Sequence, residues 1–298
     1  MKYPLFAYNL IVNNLDRKLR RTHKEYEAKE VREDISYFND DLKAHKMDIF
    51  YPKTPAKVPL ILNIHGGAYY SGHKESSSIF CSYFANKGLY VVSPNYSLVN
   101  GKNEITVKTQ IHEMIMCLKY VIEHKEELNL NYSGIYVMGD SAGGHHALMM
   151  ALALQNNELK EYYNIDLDFN PDVKGYILST PMFDFEGLVP VGQKLLFKGG
   201  VKAIFSKYYL DKEFLRKNSP KTHLNEGVKF PKLMLLYSKG DVFIEQSNLL
   251  KERLDSLKLN YQLYFEENEK AIHVFHHYHI SSDMSKKANN AIIEFTKD

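Results

Sequence analysis

The sequence predicts an α/β fold with a mostly parallel central sheet and helices on both faces. Three observations predict it. From about residue 45 onward, short apolar runs of strand type alternate with amphipathic helical stretches. Leu60 to His65 in particular reads as a continuous apolar run, as in strands covered on both sides. A glycine-flanked serine, Gly139-Asp140-Ser141-Ala142-Gly143, stands where a strand run passes into a helical one. The chain has 298 residues, 44% of them hydrophobic and 25% charged, enough for a sizeable core and unlike a disordered or collagen-like chain.

Met47-Asp48-Ile49-Phe50 reads as a strand ending at Pro52. Leu60 to His65 is a buried-strand run that stops at Gly66-Gly67, and Lys74 to Lys87 is a helix stopped by Gly88. Leu89 to Ser93 is a strand ending at Pro94. Ile105 to Leu128 is a long helix with Ile111, Ile115, Leu118 and Ile122 on one face. Ile135 to Met138 is a strand, Ala142 to Gln155 a helix, and Val173 to Ser179 a strand ending at Pro181. Leu233 to Tyr237 (strand), Phe243 to Leu257 (helix), Tyr261 to Phe265 (strand) and Ser282 to Phe295 (helix) complete the series. Phe183 to Glu226 breaks the alternation. An insertion of that size reads as a cap rather than a structureless loop. Leu5, Tyr8, Val12, Leu15 and Leu19 mark an amphipathic N-terminal helix that packs on the body, with a membrane-surface helix as the alternative. The expected organisation is therefore one domain over 1–298, with a cap from about 1–40 and about 183–226.

Gly-x-Ser-x-Gly between a strand and a helix is the context of a nucleophile elbow, a strained turn that lifts the Ser141 hydroxyl clear of the sheet. Small residues two before and two after the serine keep that turn from clashing. His65-Gly66-Gly67-Ala68-Tyr69 follows the strand 60–65 and supplies a loop of small residues. Acyl transfer needs backbone donors aimed at a developing oxyanion. The N–H groups of Gly67, Ala68 and Ala142 are the candidates, and His65 reads as a histidine that orders this loop. A serine needs a base, and the base an orienting acid, in the chain order Ser, Asp/Glu, His. Asp241 is the first carboxylate after the strand 233–237, with Glu245 as fallback inside the next helix. His273 follows the last strand at the right distance. His276 is its rival, and a metal cluster of His273, His276, His277 and His279 is disfavoured for want of a Cys or Asp set.

These pieces resemble the α/β-hydrolase superfamily, and within it the hormone-sensitive-lipase-like esterases, the bacterial family IV or acetyl-esterase group. The resemblance runs through His65-Gly66-Gly67-Ala68-Tyr69, Asn95-Tyr96-Ser97-Leu98, Gly139 to Gly144, Ser179-Thr180-Pro181, Asn218-Ser219-Pro220, Gly240-Asp241 and His273-Val274-Phe275, over roughly residues 45 to 298. It implies Ser141 as nucleophile, Asp241 as acid, His273 as base, and Gly67, Ala68 and Ala142 as oxyanion hole. It also implies a small-molecule ester with a short acyl chain as substrate and no cofactor. An amide or formamide hydrolase would use the same triad, and a silent ligand-binding relative is the reading from another class. Three departures stand out: Gly-Gly-Ala in place of three glycines, Ser97 where an arginine is usual, and no proline-rich sequence after Leu98.

The near-balanced charge, 38 Lys+Arg against 36 Asp+Glu, argues against a nucleic-acid partner. No apolar run is long enough for stable membrane insertion. Cys81 and Cys117 read as buried free thiols, and few cysteines without a leader suit the cytoplasm. A homodimer paired through an edge strand is left open.

Overall fold

The strands of the computed structural model lie in the order β1-β2-β4-β3-β5-β6-β7-β8, in one eight-stranded sheet. They are β1 (Val31–Ser36), β2 (Lys46–Phe50), β3 (Val58–Ile64), β4 (Tyr90–Pro94), β5 (Tyr132–Asp140), β6 (Val173–Ser179), β7 (Leu233–Ser238) and β8 (Gln262–Glu266). The structure describes residues 26–54, 56–100, 105–192, 204–205, 208 and 210–297. The N-terminal helix expected around Leu5 to Leu19 lies outside them, as do Leu195, Leu196, Phe197 and Tyr209 of the insertion. From β4 to β8 all neighbours are parallel, whereas β2 runs antiparallel to both β1 and β4. All strands from β3 to β8 therefore deliver their carboxyl ends to one edge, where a parallel sheet builds its sites.

The helices are α1 (Ser78–Asn86), α2 (Val107–Glu123), α3 (Ala142–Ala153), α4 (Asn157–Tyr162), α5 (Phe185–Gly192), α6 (Lys212–Lys217), α7 (Pro220–His223), α8 (Ile244–Ser256), α9 (Phe275–Tyr278) and α10 (Asp283–Thr296). Side chains alternate across the sheet with period two. Leu60, Leu62, Val137, Leu178 and Leu235 face a core shared with α2, α3 and α8. Ile61, Tyr136, Met138, Ile177 and Leu236 face the opposite core, shared with α1 and α10. Helices thus cover both faces, and the central strands are almost wholly buried for that reason. Cys81 and Cys117 are buried free thiols in α1 and α2. Burial pushes the Cys81 thiol up to about 12, so it is protonated at neutral pH. Among the described residues no helix is long and apolar enough to cross a membrane.

Residues 31–36, expected in the cap, are instead the edge strand β1. The register with β2 shifts between Arg32 and Ile35. At that bulge Asp34 takes φ 57°, and its N–H donates to the Asp48 carboxylate at 3.0 Å. Asp48 in turn meets Lys74 Nζ at 2.6 Å, with both side chains almost wholly buried. Burial alone would lower the Lys74 pKa, but its pairs with Asp48 and Asp34 raise it, so the ammonium stays charged. Removing one partner of a buried pair leaves the other charge uncompensated. Lys74→Met should therefore cost about 3–5 kcal/mol of unfolding free energy in urea titrations. Lys74→Met with Asp48→Leu should recover most of it, and a double variant no better than the single one would refute the coupling.

Candidate active site

Ser141 sits between β5 and α3 with φ 53° and ψ −115°, a conformation forced on a non-glycine residue. The flanking glycines make it feasible. A Cβ on Gly139 would lie 2.2 Å from the Gly143 carbonyl oxygen, and one on Gly143 would lie 2.0 Å from that of Ile64. The turn is tied to the next strand by Ser141 N–H donating to Ser179 O at 2.9 Å. As the first residue of α3, Ala142 has an N–H with no acceptor inside the helix, at its positive dipole end.

The His273 ring meets the Asp241 carboxylate through Nδ1. Nδ1 lies 2.9 and 3.0 Å from the two carboxylate oxygens. A carboxylate accepts, so this contact selects the tautomer with the proton on Nδ1 and the lone pair on Nε2 whenever the ring is neutral. Asp241 is 4% exposed and also accepts the Phe243 N–H at 2.7 Å. Glu245 lies inside α8 and exposed, one turn from this pair. Val274, next after the base, is a buried β-branched residue at φ 55°. That strain is held by Val274 and Phe275 packing inward and by Ser285 Oγ donating to Phe275 O at 3.0 Å. His276 points elsewhere. It is 1% exposed and packs edge-on against Phe80 of α1, on the far side of the sheet from α3.

The loop after β3 carries a second concentration of strain. Gly67, Ala68 and Tyr69 have φ of 129°, 51° and 70°. Each part is pinned. The Gly67 carbonyl accepts Ser71 N–H and Oγ–H at 3.0 and 2.7 Å. The Tyr69 carbonyl accepts Gln110 Nε2 at 2.6 Å and Val99 N–H at 2.9 Å. Tyr96 OH donates to His65 O at 2.8 Å, and the two rings stack at 4.2 Å. His65 is 2% exposed, and burial pulls its pKa down to about 4, which suits a neutral ring that orders the loop. Asp140, the residue before Ser141, is also buried at 7% exposed, a carboxylate to which the sequence assigns no role. Burial raises its pKa, and the His277 and His273 rings and the Gly66 N–H oppose that rise. A Cβ on Gly66 would lie 2.3 Å from Asp140 Oδ2, so the loop after β3 lies directly against the residue before Ser141.

The insertion is anchored by polar side chains whose motifs the sequence carries without a stated role. Ser219 Oγ donates to Phe183 O at 3.0 Å and accepts Phe185 N–H at 3.2 Å. Gln246 Oε1 accepts the Phe183 and Asp184 N–H groups at 2.9 and 2.8 Å. His145 Nε2 bonds Asn218 O at 2.8 Å. Phe185 stacks on His145 at 4.5 Å and meets Tyr69 and Phe205 edge-on at 5.8 and 4.8 Å. Among the described residues no cluster of three or more His, Cys, Asp or Glu is arranged to hold a metal ion.

An eight-stranded, mostly parallel sheet with a strained serine after its central strand defines an α/β-hydrolase. The BD-FAE family profile matches residues 47–254, and the chain belongs to that family. Its fold is similar to Esterase B from Lactobacillus rhamnosis, with TM-score 0.80 and 19% identity, covering 97% of this chain and 95% of that one. A truncated carbohydrate esterase from gut microbiota is similar at TM-score 0.72 and 16% identity, over 92% of this chain and 99% of that one. In sequence the chain is similar to a kynurenine formamidase of Salmo salar, 26% identical over 150 residues, 50% of this chain and 45% of that protein. An esterase of Gibberella moniliformis is 26% identical over 213 residues, 67% of this chain and 62% of the relative. The chain thus spans less than two thirds of the curated relatives it matches.

Four imidazoles near the site are buried and neutral. Burial takes His65 and His145 to about 4, His276 to about 3, and His146 well below its ordinary value. Unfolded, each would bind a proton near pH 6.5. Between about pH 6.5 and 4 the unfolded state therefore holds more protons, so stability rises with pH and is lost as pH falls through that window. Urea midpoints should drop between pH 7 and pH 5, with each ring adding up to about 1.4 kcal/mol per pH unit. Stability flat across that range would contradict neutral buried rings.

Proposed function

We propose that the protein is a serine hydrolase of carboxylic esters with short acyl chains. One observation carries this reading: Ser141 at positive φ after β5 shares a sheet edge with the Asp241–His273 pair after β7 and β8. In the proposed reaction Ser141 Oγ attacks the ester carbonyl while His273 Nε2 takes its proton. Asp241 holds the imidazole by Nδ1 and stabilises its positive charge. The N–H groups of Gly67, Ala68 and Ala142 receive the oxyanion. His273 returns the proton to the departing alcohol. Water then attacks the acyl-enzyme, again losing a proton to His273, and the acid leaves with Ser141 restored. Tyr69 of the loop after β3 packs on Phe185, which packs on Phe205, and this buried cluster of rings beside the loop supports a short acyl chain. The reading keeps the insertion as a cap over one domain.

A second reading is formamide hydrolysis by the same residues. It is favoured by the similarity to kynurenine formamidases of Salmo salar and Danio rerio. Formanilide assayed beside p-nitrophenyl acetate separates the two, since the ester reading expects turnover of the acetate and little of the anilide. Ser141→Ala and His273→Ala should each lower kcat on p-nitrophenyl acetate by ~10⁴-fold or more. Wild type should label with a fluorophosphonate probe, and Ser141→Ala should not. Retained turnover in a clean Ser141→Ala preparation would sink the assignment. Palmitate turned over faster than acetate and butyrate would reject the short acyl chain.

A further inference from the structure

A serine–histidine pair returns its proton to the leaving oxygen, so the alcohol's substituent must pass beside the base. The surroundings of His273 therefore decide which alcohols fit. The Phe243 ring lies 5.2 Å from the His273 ring at 73°. Val242 is the chain neighbour of Asp241 and is 67% exposed, and Ile272 is the chain neighbour of His273 and is 51% exposed. Six large apolar side chains are exposed among the described residues, and two of the six are these direct neighbours of acid and base. Single exposed apolar residues need no explanation, but a group on the loops that bear the acid and base does. The two loops are held together. Ser238 Oγ donates to Ala271 O at 2.6 Å and Lys239 N–H to Glu266 O at 2.9 Å. A Cβ on Gly240 would lie 2.1 Å from Glu269 O, so the turn before Asp241 lies directly against the loop leading to His273.

We propose that Val242, Phe243 and Ile272 form the leaving-group subsite and select esters of apolar alcohols over esters of polar ones. This rests on the ester-hydrolysis reading and adds which end of the substrate these residues meet. Apolar area on the alcohol loses water against the three side chains as the proton returns, which lowers the barrier for that alcohol alone. Phe243 is also placed to hold the base. A role confined to positioning His273 would slow all esters alike, whereas a subsite changes their ratio.

The test compares benzyl, ethyl and glycerol monoacetates, one acyl group on three alcohols, with rates normalised to their hydrolysis by hydroxide. Wild type should favour benzyl acetate in kcat/KM. Ile272→Asn, at an exposed position where folding is little affected, and Phe243→Leu should each cut the benzyl-to-glycerol ratio, Ile272→Asn by about tenfold. A wild type that prefers glycerol monoacetate, or shows no preference, overturns the subsite alone. So do variants that slow all three acetates equally. A wild type inert toward all three, and unlabelled by fluorophosphonate, overturns the ester reading and this proposal with it.

Discussion

The approach of α3 to β3 sets the geometry of everything around the site. With no Cβ at Gly143, the first turn of the helix comes against the Ile64 carbonyl, and with none at Gly139 the chain can double back through Ser141. The consequence is a serine at positive φ and a helix start beside the loop of Gly67 and Ala68. Non-glycine residues in such conformations cost of order 1–3 kcal/mol each. Ser141, Ala68, Tyr69, Thr180 and Val274 are all of this kind and lie in the segments that follow β3, β5, β6 and β8. The sheet and the two cores beneath it over-determine these conformations, and that is why the strain can persist where the chemistry needs it.

The same economy appears in how the loops are held. Side chains fix main-chain groups that no strand or helix can satisfy: Gln110 and Tyr96 under the loop after β3, and Ser219 and Gln246 at the ends of the insertion. Each lies on, or directly beside, a helix or strand that is itself packed. The described ends of the insertion are thereby tied to α3 and α8. Burying neutral imidazoles between them makes the arrangement sensitive to acid, because a proton that binds readily in water is refused inside.

Much of this was legible from residue order. The apolar runs located β3 to β7 because strands covered on both faces bury nearly every residue, and β2 and β8 were read from shorter apolar stretches beside them. Gly-Asp-Ser-Ala-Gly-Gly located the elbow because close backbone approach leaves few residue types. The strand β1 escaped because Val31-Arg32-Glu33-Asp34-Ile35-Ser36 is an edge strand with charges facing water, so its apolar signal is broken. The helices α4 and α9, of six and four residues, are too short for a period of 3.6 to register. Lys74 to Lys87 divides into a 3₁₀ turn over Lys74–Ser77 and α1, a change of pitch that periodicity does not resolve.

The sequence by itself determined the fold class, the strained serine and the candidates for acid and base. These depend on local chemistry: which residues fit a turn, a strand or a helix start. Only the tertiary structure decided between His273 and His276, three positions apart in the chain, of which the first pairs with Asp241 and the second is buried against Phe80. Only it brought Asp140 and Phe243 into the site, and only it pinned the insertion to α8 through Gln246. Such choices rest on distances between segments far apart in the chain, and those distances are set by how both faces of the sheet pack, which no single stretch of sequence encodes.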